Sequence, residues 1–122
     1  MKLARQYFLE KDPPEPARTR FIARAQSYHG TTLGSLSMGG HVGRRAKFEP
    51  MLLNNISRVS PCFSYRHQGA DETDEQYVAR LAAELDQEFQ RVGPENVCAF
   101  VAEPIVGAVS LFPDCKYTFV VC

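Results

Sequence analysis

Apolar positions along the chain follow two kinds of pattern. From Asp74 to Val92 they recur at helical spacing, with Tyr77, Val78, Leu81, Leu85, Phe89 and Val92 on one stripe and charged or amide side chains elsewhere. Thr73 and Gln76 form a capping-box pair ahead of that stripe, each side chain placed to satisfy a backbone N–H at the helix start. Asp74 and Glu75 put negative charge in the positive first turn, and Gly93-Pro94 ends the helix. Val97-Cys98-Ala99-Phe100-Val101-Ala102 is then an unbroken apolar run, the pattern of a strand covered on both faces in a parallel sheet.

The rest is less regular. Leu3, Ala4, Tyr7 and Phe8 have helical spacing that Pro13, Pro14 and Pro16 stop, but no capping residue precedes them, so this helix reads as one cut in its middle. Arg20 to Arg24 predicts a short strand, Ser27-Tyr28-His29-Gly30 a loop, and Thr31 to Met38 a short helix ended by Gly39 and Gly40. Residues 41 to 72 carry Pro50, Pro61, Asn54-Asn55 and Gly69 with little periodicity. They read as a long irregular excursion with one short strand around Ser57 to Ser60, packing against something else. Lys116 to Cys122 has the β-propensity of a further strand. The order strand, helix, strand predicts an α/β fold with a mostly parallel sheet flanked by helices, incomplete because so few strands are visible. A sheet short of neighbours leaves open edges, so the isolated chain is expected to be marginally stable or dependent on a partner.

Composition narrows the class of function. Over 122 residues, 44% hydrophobic and 23% charged content fits one globular unit with a modest core, and a net charge of zero gives no electrostatic reason to expect nucleic acid. No apolar run reaches the roughly 20 residues of a membrane span, so no membrane partner is expected. Cys62, Cys98, Cys115 and Cys122 show no metal-ligand spacing and read as structural or free thiols; no metal site is expected, and a reducing compartment, the cytoplasm, suits them. The N-terminus carries no targeting pattern.

Three places carry candidate chemistry. Tyr28, His29 and Gly30 lie between a strand and a helix, where α/β proteins bind ligands; the ring suits stacking on a flat heterocycle, and equally suits a core tyrosine beside a turn glycine. Glu103, at the end of an apolar strand, needs either a cleft or an ion-pair partner. Acid–base work with His29 requires the two to meet. His41, Arg44 and Arg45 among Gly39, Gly40 and Gly43 have anion-binding chemistry or form a solvated basic turn; no P-loop or G-x-G-x-x-G pattern accompanies them.

The stretches Met1 to Tyr7, Arg20 to Arg24, Ser27 to Ser37 and Ala102 to Gly107 resemble, in order, the middle of class-III aminotransferases, the family of ornithine, acetylornithine and 4-aminobutyrate aminotransferases. The resemblance covers residues 1 to about 109, and the Y-H-G-x-T and E-P-x-x-G pieces at this separation make it specific. It implies part of the large domain of a fold-type-I enzyme that binds pyridoxal 5′-phosphate at a homodimer interface. It further implies that Tyr28 stacks on the pyridine ring, that His29 and Gly30 form the adjoining loop, and that Glu103 is a carboxylate near the cofactor. The family reaction moves an amino group from an amine or amino acid to a 2-oxo acid or aldehyde, with the cofactor held as a Schiff base on a lysine.

The chain departs from the family pattern in what it lacks. The G-S/T-x-A phosphate turn, the D-E-V motif and the Schiff-base lysine are absent, and Lys2, Lys11, Lys47 and Lys116 have no family context. From Ser110 onward the sequence no longer resembles the family, which divides the chain into residues 1–109 and a divergent tail, 110–122. The expectation is therefore a fragment of a transaminase, inactive alone and with no catalytic residue of its own. The alternative is a non-catalytic interaction module that binds a full-length subunit; stable co-purification with a complete homologue separates the two.

Overall fold

A strand with no exposed surface at its centre organises the fold. The computed structural model describes residues 1–103. Within them β1, Arg20–Arg24, lies between β2, Ile56–Val59, and β3, Val97–Val101, and pairs with both in parallel. Phe21 is opposite Ile56 on one side and Ala99 on the other, and Ala23 is opposite Arg58 and Val101. Between Arg20 and Phe21 the register with β3 slips by one residue, skipping Cys98. That bulge puts Cys98 and Ala99 on the same face of the sheet despite being neighbours in sequence.

Helices cover both faces. On the first, Phe21, Ala23, Met38, Ile56 and Cys98 are buried together, with Ala4 and Phe8 of α1 (Lys2–Leu9) packed against them; Met38 comes from α2 (Leu33–Met38). On the second, Ile22, Val59, Val97 and Leu85 are buried with Phe89 and Val92 of a long helix, Asp74–Val92. Its capping box is present in full: Thr73 Oγ1 accepts from the Gln76 N–H at 3.2 Å, and Gln76 Oε1 from the Thr73 N–H at 2.9 Å. At the start of α1, Met1 occupies the N-cap position and makes no side-chain cap hydrogen bond.

The excursion over 41–72 proves more ordered than its sequence suggests. It holds α3 (Val42–Arg45), a 3₁₀ turn at Glu49–Met51, strand β2 and α4 (Ser64–His67); the long helix is thus α5. Its partner is this same domain. β2 joins the sheet, the Ser60 N–H donates to Glu84 of α5 at 2.9 Å, and the buried Tyr77 hydroxyl accepts from the Phe63 N–H at 3.0 Å. These ties are non-local, so no periodicity announces them.

β3 also departs from expectation. Val97 and Cys98 are buried, whereas Ala99, Phe100 and Val101 are half-buried, because among the described residues β3 has a strand on one side only. The strand expected over 116–122 lies outside the described residues. Among the described residues no helix is long and apolar enough to cross a membrane, and no cluster of side chains suits a metal ion.

The second-face core and the α5 cap make separable contributions. Leu85→Ala is expected to lower the free energy of unfolding in urea by about 2–5 kcal/mol, from lost burial and the cavity left behind. Thr73→Ala is expected to cost about 1 kcal/mol. A larger loss for Thr73→Ala than for Leu85→Ala would contradict this packing.

Candidate functional site

Because β1 and β3 run parallel and Ala23 is opposite Val101, the residues that follow both strands emerge at the same sheet edge. This is the carboxyl end, where open α/β sheets bind ligands. Ser27 Oγ donates back to the Arg24 carbonyl at 2.7 Å and turns the chain as it leaves β1. The next N–H, that of Tyr28, donates to Glu103 Oε2 at 3.1 Å. Glu103 is thereby brought to the backbone of the Tyr28–Gly30 loop, and the strand-end carboxylate has its partner.

Two glycines let the loop sit where it does. Gly30 has φ of +119°, which side-chain-bearing residues rarely adopt, and a Cβ there would lie 3.0 Å from the Ser35 Cβ. Gly40 lies against the backbone of Ala25 and Gln26, so closely that a Cβ would be 2.6 Å from the Gln26 nitrogen. Its N–H donates to the Ser27 carbonyl at 2.9 Å, joining the end of α2 to the loop.

Two arginines fix that end of α2. Arg45 Nη1 donates to the carbonyls of Leu36, Ser37 and Gly39 at 2.9, 2.8 and 3.0 Å. Arg58 of β2 donates to the Ser37 and Gly39 carbonyls at 2.6 and 2.9 Å. Positive charge at a helix C-terminus meets the negative end of its dipole. Burial, and the neighbouring Arg45 charge, hold the Arg58 guanidinium below its usual proton affinity. No sequence pattern signals this role for Arg58, because an arginine in a short strand looks like any solvated strand residue.

His29, in the Tyr28–Gly30 loop, lies near Glu103. Its Nε2 is buried with no hydrogen-bond partner. Burial holds the imidazole below its ordinary value of 6.5, and the nearby Glu103 charge pulls the other way. Tyr28 is half-buried, and the Arg44 guanidinium stands over its ring, 4.8 Å from the centroid. The basic turn His41–Arg45 therefore belongs to the same neighbourhood: Arg45 is absorbed into structure, while Arg44 reaches the Tyr28 ring.

The His29 shift has a pH consequence whose sign is set by burial. The unfolded chain takes up the proton first, so the stability His29 contributes is present above about pH 6.5 and is lost as pH falls through the lower folded value. Urea stability is expected to fall between about pH 7.5 and about pH 5.5, with a smaller fall for His29→Asn. An identical pH dependence in the variant would contradict burial of a neutral imidazole here.

The family described as aminotransferase class-III matches residues 1–117. An aminotransferase of Gibberella zeae is 63% identical over 109 residues, and an uncharacterized aminotransferase of Schizosaccharomyces pombe 53% identical over 94. A probable mitochondrial gamma-aminobutyrate transaminase of Oryza sativa is 39% identical over 108. These alignments take in 88%, 77% and 85% of this chain, but it spans only about a fifth of each relative's length: 21%, 20% and 20%. Among solved structures, the omega transaminase of Pseudomonas jessenii in complex with PMP shares the fold with a TM-score of 0.79 at 35% identity, and an omega-aminotransferase of Paracoccus denitrificans with 0.81 at 30%. Those matches cover 93% and 94% of this chain and 25% of each structure. With sequence and fold in accord over nearly the whole chain, it belongs to the class-III aminotransferase family.

Proposed function

We propose that Tyr28, His29, Gly30 and Glu103 are the part of a pyridoxal 5′-phosphate site that this stretch of a class-III aminotransferase carries. The observation that supports it most is the Tyr28 N–H bond to Glu103, which ties two separate family motifs to one point at the carboxyl edge of the sheet. The residues suit a flat, polar heterocycle. Tyr28 offers a ring face, Gly30 has no side chain to block close approach, and His29 Nε2 is a buried polar atom without a protein partner.

The cofactor, when bound, supplies the electron sink for moving an amino group between an amine or amino acid and a 2-oxo acid or aldehyde. This chain's own contribution is orientation. Glu103 holds the Tyr28 backbone, Arg45 and Arg58 hold the α2 end against that loop, and Tyr28 sets the plane in which a ring stacks. Among the described residues no lysine has the family's context for covalent attachment: Lys11 pairs with Glu15, and Lys2 and Lys47 are exposed. The chain alone therefore orients but does not transfer, and the complete protein works as a homodimer. The second reading, a module that binds a full-length subunit, draws support from strongly exposed Leu3, Val42 and Tyr65.

Titration of the labelled chain with pyridoxamine 5′-phosphate, followed by NMR, tests the site. Tyr28→Ala is expected to weaken binding by about two- to tenfold, the equivalent of a stacking contact of about 0.5–1.5 kcal/mol. Treatment with pyridoxal phosphate and borohydride is expected to leave no single lysine stoichiometrically modified. Binding unchanged in Tyr28→Ala, or one lysine fully labelled, would each overturn part of this reading.

A further inference from the structure

The adjacent arginines of α3 have opposite environments. Arg45 is taken up by three carbonyls and by Glu49, whose carboxylate lies 3.1 Å from Nη2. Arg44 is exposed, pairs with no carboxylate among the described residues, and places its guanidinium 4.8 Å from the centre of the Tyr28 ring. Its backbone is held, since the Arg44 N–H donates to His41 Nδ1 at 3.4 Å and to the His41 carbonyl at 3.2 Å. The Arg44 guanidinium makes no hydrogen bond to a protein acceptor among the described residues, so its N–H groups are available to a planar or tetrahedral oxyanion beside the ring.

We propose that Arg44 is the anion-recognition residue of the Tyr28 site, receiving a carboxylate or phosphate monoester of the molecule that stacks on Tyr28. The inference rests on the reading of Tyr28 as a stacking platform. It assigns the ligand class by chemistry: a ring or chain held at Tyr28 with an anionic group within reach of the α3 guanidinium. A lysine would supply the charge but not the flat, two-pronged edge. The ring contact limits the side-chain freedom lost on binding, so a long, exposed arginine can still contribute.

The test uses the isotopically labelled full chain and four probes: pyridoxamine, pyridoxamine 5′-phosphate, 2-oxoglutarate and inorganic phosphate. Dissociation constants are read from amide and arginine side-chain NMR shifts. Arg44→Gln is expected to weaken an anionic probe by about five- to tenfold while leaving pyridoxamine, which has the ring but no anion, unchanged. Arg44→Lys should restore only part of the loss. Loss confined to the two phosphate-bearing probes identifies the phosphate, and loss confined to 2-oxoglutarate identifies a substrate carboxylate. Arg66→Gln, which removes the exposed arginine beside Phe63, should change neither.

Anionic probes bound within about twofold of the parent chain by Arg44→Gln would overturn the proposal, as would tighter pyridoxamine binding, which would mean that Arg44 only covers the ring. Pyridoxamine binding that survives Tyr28→Ala undiminished would instead overturn the platform reading on which the proposal rests. Absence of any shift with every probe would overturn both.

Discussion

Pairing of β1 on both sides is the constraint from which the other features follow. Ile22 and Ala23 have no exposed surface, and each lies opposite a residue of β2 and of β3. Their alternation sends Ile22 toward α5 and Ala23 toward α1 and α2, so one short strand nucleates both cores. Backbone N–H and C=O groups this deep must be paired, which makes a strand on each side obligatory, and both neighbours here run parallel to β1. Once β1 and β3 are parallel and in register, the loop after one and the carboxylate after the other have to meet.

That meeting joins fold and function. Glu103 would be costly to bury at the end of an apolar strand without a donor, and the Tyr28 N–H provides one. The same bond fixes the start of a loop whose other end is held through Gly40, Arg45 and Arg58. The Tyr28 ring is thus carried on a loop anchored at both sides, and its position depends on elements from residues 20 to 103 rather than on local sequence alone.

What could be read from the sequence divides along the same line. The helix over Asp74–Val92, its capping box and its stop were legible because stripe, caps and charges are local. β1 and β3 were legible as strands, and Tyr28, His29, Gly30 and Glu103 as candidates, from position and family resemblance. β2 was only half visible: four residues in a stretch without periodicity, whose strand character comes from pairing with Phe21 to Arg24. Residues 41–72 therefore read as an irregular excursion that packs against something else, where the structure shows β2 joined to β1 and tied to α5. Arg44 stood out as a basic-turn residue, but its contact with Tyr28 is made by tertiary folding and leaves no trace in spacing.

Parallel pairing around β1 delivers Glu103 to the Tyr28 loop. Residue-resolved amide hydrogen exchange of the chain tests this most directly. The expected result is slowest exchange at Ile22 and Ala23, with the Tyr28 amide protected although it lies in a loop, and loss of Tyr28 protection in Glu103→Ala while β1 stays protected. A Tyr28 amide that exchanges as freely as an exposed loop amide in the unsubstituted chain, or one indifferent to Glu103→Ala, would contradict it.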